Sequence, residues 1–261
     1  MGVVTELVDA SIAELRAIHD RLAAAAAGLS PDQLTGPSGA SEWAVADVLS
    51  HLGSGAEIGR YPLLAATGTE VEPPANQEVW DRWNALPPAE QAAGFVTSDE
   101  RLVATYEALT PEQRETTTVD LGFLPQPVPV ATSLGMRLNE AALHGWDVEV
   151  GLDPSATLSD ASAELLARHF VETMTFLLGF VGKAEGVGPT RVAVDGRSIV
   201  IDPEGVRLEA GTDGATATFE GPLEAAVRLL AGRLGPEHTP GGVTVTGDVT
   251  LDELRKVFPG Y

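Results

Sequence analysis

Cysteine is absent from this chain of 261 residues. That excludes disulfides, thiolate-ligated zinc and a cysteine nucleophile, so any thiol chemistry here needs a sulfur carried by a small molecule. Basic residues are few: 16 lysines and arginines stand against 38 aspartates and glutamates, a formal net charge of −22. A surface this acidic repels phosphodiester backbones and anionic lipid, which argues against nucleic-acid and membrane-surface roles. An anionic substrate would need a local basic group against that field, so single arginines in a pocket are informative. Aromatic residues make up only 5% of a chain that is 44% hydrophobic, which fits an aliphatic, alanine-rich core. Long apolar runs are missing too. The most apolar stretch, Phe170 to Val181, is interrupted by Glu172, Thr173 and Thr175 and is too short to span a bilayer. The opening M-G-V-V-T-E-L has neither a basic n-region nor an apolar h-region, so the expected setting is cytoplasmic.

What is present divides into two textures. Val8, Ile12, Leu15, His19, Leu22, Ala26 and Leu29 recur every three or four residues, predicting a long amphipathic helix ended by Ser30-Pro31. His19 falls on its apolar stripe, where a hydrogen-bonded core histidine is the ordinary reading and a place lining a site the alternative. After the turn segment 36–41 a second helix is predicted through S-E-W-A-V-A-D-V-L-S-H-L-G, with Trp43 at its entrance and Gly53 and Gly55 closing or loosening it. The Pro-rich stretch 73–88 holds Trp80 and Trp83 and reads as a packed connection with a short helix. Ser98-Asp99 reads as the start of a third long helix, with Leu102, Val103, Tyr106 and Leu109 on its apolar face and Pro111 at its end. Residues 119–130, with three prolines and Gly122, read as a loop, and Thr132 or Ser133 as the cap of a fourth helix. Four such helices imply an antiparallel bundle.

Asp153-Pro154 marks a boundary, giving expected domains of 1–153 and 154–261. Beyond it the pattern predicts one helix over 159–182, then short alternating runs at 191–194, 198–201, 206–208 and 215–219. D-G and P-E-G turns separate these runs and suggest an antiparallel meander. A helix over 222–234, a strand over 243–246 and a helix over 251–258 complete an α+β domain with a small sheet.

The chemistry concentrates in R-L-N-E-A-A-L-H-G-W-D, residues 137–147. Glu140 and His144 lie four apart, one turn above the other on a single helix face, with Arg137 and Asp147 continuing that face. A carboxylate and an imidazole can share a metal ion, but two ligands do not hold one. His51, on the second helix, is the candidate third, because side chains of facing helices converge in a bundle core. Two imidazoles and a carboxylate suit Zn²⁺ or another divalent metal and leave a fourth position open. Asp147 could orient a ligating histidine from behind. On spacing alone, a solvated helix face is the competing reading.

The run E-W-A-V-A-D-V-L-S-H-L-G resembles the N-terminal motif of the mycothiol-dependent maleylpyruvate isomerase family, within the wider DinB-like group, and the later E-x-x-x-H helix is similar to that family's second motif. The resemblance covers nearly the whole chain and implies a DinB-like four-helix bundle followed by a sterol-carrier-like α+β domain. It implies His51, Glu140 and His144 as zinc ligands and mycothiol as the cofactor. It also implies a reaction in which zinc helps form the thiolate, which adds to a cis double bond that rotates before elimination. An arginine of the C-terminal domain is implied to hold the substrate's carboxylates. Arg233, in L-L-A-G-R-L-G, is the best match and Arg228 the alternative. A surface arginine favoured by a helix C-terminus is the plainer reading of Arg233. Two other functions stay open: a transferase joining mycothiol to an electrophilic small molecule, and a non-catalytic ligand-binding module.

Overall fold

The computed structural model describes residues 3–260, so Met1 and Gly2 of the opening run lie outside it. The chain forms two compact units, Met1–Ala156 and Thr157–Tyr261. The first is helical and the second pairs helices with a mixed, mostly antiparallel sheet, an α+β architecture. No helix among the described residues is long and apolar enough to cross a membrane.

Four long helices build the first unit: α1 (Val3–Gly28), α3 (Val45–Ala66), α5 (Pro88–Glu107) and α7 (Val130–Leu152). Short helices α2 (Pro31–Leu34), α4 (Asn76–Asn84) and α6 (Pro111–Thr116) connect them. Ser30 and Thr110 cap α2 and α6 through capping boxes with Gln33 and Gln113. The core is aliphatic, as the composition predicts: Leu7, Leu15, Ile18, Leu22, Leu49, Leu52 and Leu102 are fully buried, with Phe95 and Trp146 among them.

Several boundaries differ from the sequence reading, each for a physical reason. Gly53 and Gly55 neither close nor loosen α3, which runs on through Pro62. A Cβ on Gly53 would sit 2.3 Å from the ring of Trp83, so this glycine exists to let α4 lie close. Helix α5 begins at Pro88, ten residues before Ser98, because the alanine-rich stretch between them carries little apolar periodicity yet packs on α3. Asp99 is therefore buried within the helix rather than at its entrance. Residues 119–130 are not wholly irregular: β1 (Thr118–Val119) and β2 (Val128–Pro129) pair antiparallel. Pro129 takes the cap position of α7, which puts Thr132 and Ser133 inside its first turn, buried.

In the second unit the expected helix over 159–182 breaks after α8 (Asp160–Glu172), and α9 (Leu177–Val181) follows. Thr173 ends α8, and its hydroxyl meets His169 Nδ1 at 2.7 Å. The strands β3 (Thr190–Val194), β4 (Arg197–Asp202), β5 (Gly205–Ala210), β6 (Ala217–Glu220) and β7 (Thr244–Gly247) lie in the order β5-β4-β3-β6-β7. Asp195 and Gly196, both at positive φ, make the tight β3–β4 hairpin the D-G pair predicts. The meander continues into β5, antiparallel to β4, and stops after it, because β6 crosses to the far edge of β3 and pairs with it in parallel. Helices α10 (Leu223–Leu230) and α11 (Leu251–Val257) complete the unit.

His169 gives this unit a pH-dependent stability. It is fully buried, and burial, helped by the charge of Arg168, pushes its pKa down from 6.5 to about 4. The folded chain thus keeps His169 neutral while the unfolded chain takes up the proton below pH 6.5. Stability from this group is complete above that value and falls as the pH drops toward 4, by up to roughly 3 kcal/mol. All four tryptophans lie before residue 157, so urea melts followed by far-UV circular dichroism are the suitable readout. Wild type should lose more stability than His169→Gln between pH 7 and pH 5. Equal losses would remove His169 as the cause.

Candidate metal centre

The turn before α3 is built to place Trp43 and start the helix. The Asp47 carboxylate accepts from the Ala44 N–H at 2.9 Å, Val45 N–H donates to the Gly36 carbonyl, and Ser38 Oγ donates to the Trp43 carbonyl at 2.8 Å. Gly39 N–H donates to the Asp147 carbonyl at 2.7 Å, tying this turn to α7. Gly39 must be glycine for that approach, since a Cβ would come within 2.6 Å of Val150 and 3.0 Å of Asp147.

Two turns into α3, His51 faces Glu140 and His144 of α7. His51 Nε2 lies 3.0 Å from Glu140 Oε2, and His144 Nε2 lies 3.7 Å from the same oxygen. One donor atom from each of the three residues falls within 4.8 Å of the others. Two ligands bound to a tetrahedral zinc at 2.0–2.1 Å stand about 3.4 Å apart, and the distances of 3.0 and 3.7 Å bracket that value. The donor set therefore fits a divalent metal with an N₂O preference. The other nitrogen of His144, Nδ1, lies 2.8 Å from Oδ2 of the fully buried Asp147. That contact fixes the ring and leaves Nε2 as the atom turned toward Glu140 and available to a metal. Trp43 stacks on His144 with ring centroids 5.9 Å apart and tilts against His51 at 5.2 Å, holding both imidazoles in place.

Burial on its own would raise the pKa of Glu140. The hydrogen bond to His51 and the charges of His144, His51 and Arg137 outweigh it and bring the value down to about 2. The carboxylate is thus ionised at any physiological pH, as a metal ligand must be. A cavity of about 510 Å³ opens on the His51 side, lined by Trp43, Asp47, Ser54, Trp80 and Asn84. Its size suits a small organic molecule.

Sequence reasoning did not find the buried network behind these candidate ligands. His19 Nδ1 lies 2.8 Å from Asp99 Oδ2, and Arg137 Nη2 donates to Asp99 Oδ1 at 2.6 Å. The same Nη2 donates to the backbone carbonyl of Leu52, the residue after His51, at 3.2 Å. His19 thus belongs to the core, and Arg137 fastens α3 to α5 from a position one turn before Glu140. A charged residue on the face of Glu140 and His144 was the available signal.

In the second unit, Arg233 is half-buried and its Nη1 donates to the Ala231 carbonyl at 3.0 Å. Arg228, the alternative anion binder, is 1% exposed and forms a two-pronged pair with Glu224 at 2.8 and 3.1 Å. It also donates to the His238 carbonyl at 2.8 Å, so its charge is spent inside the fold.

Residues 15–149 match the family described as the mycothiol maleylpyruvate isomerase N-terminal domain. Two uncharacterized proteins of Mycobacterium tuberculosis, MT0763 of strain CDC 1551 and Rv0738 of strain H37Rv, are each 30% identical over 162 residues. The match covers 61% of this chain and 77% of theirs. Among solved structures, mycothiol-dependent maleylpyruvate isomerase and a histidine-to-alanine mutant of it superpose with a TM-score of 0.61 at 19% identity. They cover 95% of this chain and 98% of their own. At that identity the likeness is one of fold. The family match spans over half of the chain and takes in the helices that carry His51, Glu140 and His144, so the chain belongs to the mycothiol maleylpyruvate isomerase family.

Proposed function

We propose that this protein is a metal- and mycothiol-dependent enzyme acting on a small anionic, electrophilic substrate, with cis-trans isomerisation of a maleylpyruvate-like compound as its reaction. The observation that carries this reading is the meeting of His51, Glu140 and His144 beside an open cavity in a chain with no cysteine. His51 Nε2, a Glu140 oxygen and His144 Nε2 would hold the metal. A bound divalent ion lowers the pKa of a coordinated thiol, and mycothiol brings that thiol, so the pair supplies a nucleophilic sulfur at neutral pH.

The chain's own residues do the rest. Asp147 holds the His144 tautomer, Trp43 limits rotation of both imidazoles, and Trp80 with Trp43 gives the cavity an apolar wall. Arg233 is the candidate for pairing with a substrate carboxylate, a role suited to a guanidinium in so acidic a chain. A cofactor that must stay a free thiol fits a cytoplasmic setting. All three candidate ligands are present, which weighs against a non-catalytic module.

The test is turnover of maleylpyruvate by the purified protein with and without mycothiol. Isomerisation only in the presence of mycothiol is the expected result. Consumption of the thiol by electrophiles without isomerisation would reassign the protein as an S-transferase, and neither reaction would sink the enzymatic reading. Arg233→Ala should lower kcat/KM by about 10–100-fold, the loss of a charge-assisted pair, with the metal content unchanged. Release of metal would show that Arg233 acts elsewhere.

A further inference from the structure

Carboxylates outnumber lysines and arginines 38 to 16 in this chain, so an arginine ordinarily finds one. Arg16 pairs with Glu100 and Glu107, Arg82 with Glu57, Arg114 with Asp9 and Arg255 with Asp252. Arg60 and Arg101 do not. Neither has a carboxylate oxygen within 4.0 Å among the described residues, although Arg60 is half-buried and Arg101 exposed in so acidic a chain. Both line one cleft of about 640 Å³ formed by α3, α4 and α5.

The cleft is organised rather than accidental. Arg60 Nε donates to Thr105 Oγ1 at 3.0 Å, and that hydroxyl donates to the Arg101 carbonyl at 2.7 Å. One side of the Arg60 guanidinium is thereby fixed, while its two Nη atoms make no hydrogen bond to the protein among the described residues. Glu57, also in the cleft, is paired with Arg82 and accepts from Trp83 Nε1 at 2.9 Å, so its charge is offset by Arg82 rather than by Arg60 or Arg101. Glu90 is exposed. Tyr61 and Trp83 give the cleft an aromatic wall.

We propose that this cleft binds a small organic dianion, a dicarboxylate or a phosphate monoester, at a site separate from the metal centre. Two guanidinium groups lining one cleft, each without a carboxylate partner among the described residues, are the chemistry that recognises paired anionic oxygens. Arg60 lies nine residues beyond His51 on the same helix, about 13 Å along its axis. A substrate small enough for the isomerase reaction cannot reach Arg60 and a sulfur at the metal together. Helix α4 serves both places, giving Trp80 and Asn84 to the cavity at His51 and Arg82 and Trp83 to this cleft.

The test titrates the full chain with succinate and, separately, with inorganic phosphate, read by calorimetry and by tryptophan fluorescence at fixed ionic strength. Saturable binding of at least one probe is expected. Arg60→Gln and Arg101→Gln should each weaken it at least about tenfold, while His144→Ala leaves it unchanged. The result then stands apart from the fate of the isomerase reading. Binding of only one probe identifies which oxyanion is taken. No saturable binding of either, or equal weakening by Arg168→Gln in the other unit, would overturn the site. Circular dichroism of each variant confirms that the helices are intact.

Discussion

Replacing Asp99 by alanine should destabilise the N-terminal unit by about 3–5 kcal/mol, the cost of leaving a buried charge without its partner. Arg137 and Asp99 are 8% and 5% exposed at the side chain, and their contact is 2.6 Å. Burial alone would raise the Asp99 pKa, but the charge of Arg137 and hydrogen bonds from His19 and Arg137 hold it below the ordinary carboxyl range. Removing Asp99 leaves Arg137 with the Leu52 carbonyl and takes away the Nδ1 partner of His19. All four tryptophans report on this unit, so urea melts followed by their fluorescence measure the loss directly. The sign with pH follows from the depressed value. The pair's contribution is complete above the unfolded carboxyl pKa and disappears as the pH falls through the lower folded one, so wild type and Asp99→Ala should converge in acid. A loss under about 1 kcal/mol at pH 7 would mean that the network is dispensable.

That network also marks where sequence reading ran out. Glu140 and His144 were legible as candidates because residues three or four apart share a helix face, and Asp147 because it continues that face. His51 was legible through its motif. The link from Arg137 to Asp99 was not, since it joins residues 38 apart on two helices and depends on where α5 begins. The stretch 88–97 hides that start, because alanines and Gly94 pack by their smallness and leave no apolar period. Gly94 and Gly53 both approach the ring of Trp83, a role that a sequence shows only as two helix breakers. In the second unit the first D-G pair sets a hairpin, whose geometry is local. The later D-G at 213–214 says nothing about which edge of β3 the chain reaches next, and the choice of a parallel partner is a property of the whole sheet.

The strongest effect on chemistry should come from His144, and a graded pair of variants separates ligand from support. His144→Ala removes one of three candidate protein donors, so wild type is expected to purify with near one equivalent of divalent metal and the variant with almost none, as measured by plasma mass spectrometry. Asp147→Asn keeps the donor but changes the acceptor on Nδ1. A neutral amide holds the ring less firmly and lowers its basicity, so metal affinity should fall by about 10–100-fold with the helix still formed. Asp147 is fully buried and its backbone anchors the turn at Gly39, so circular dichroism must accompany the measurement, and the isosteric amide is the variant least able to disturb packing. Competition with a chelator of known affinity gives the ratio. If His144→Ala keeps its metal, the centre is not the one formed by His51, Glu140 and His144. If Asp147→Asn binds as tightly as wild type while His144→Ala does not, the ligands stand but the 2.8 Å contact behind them is structural only. The expected order, wild type above Asp147→Asn above His144→Ala, is what a ligating histidine oriented from behind by a buried carboxylate produces.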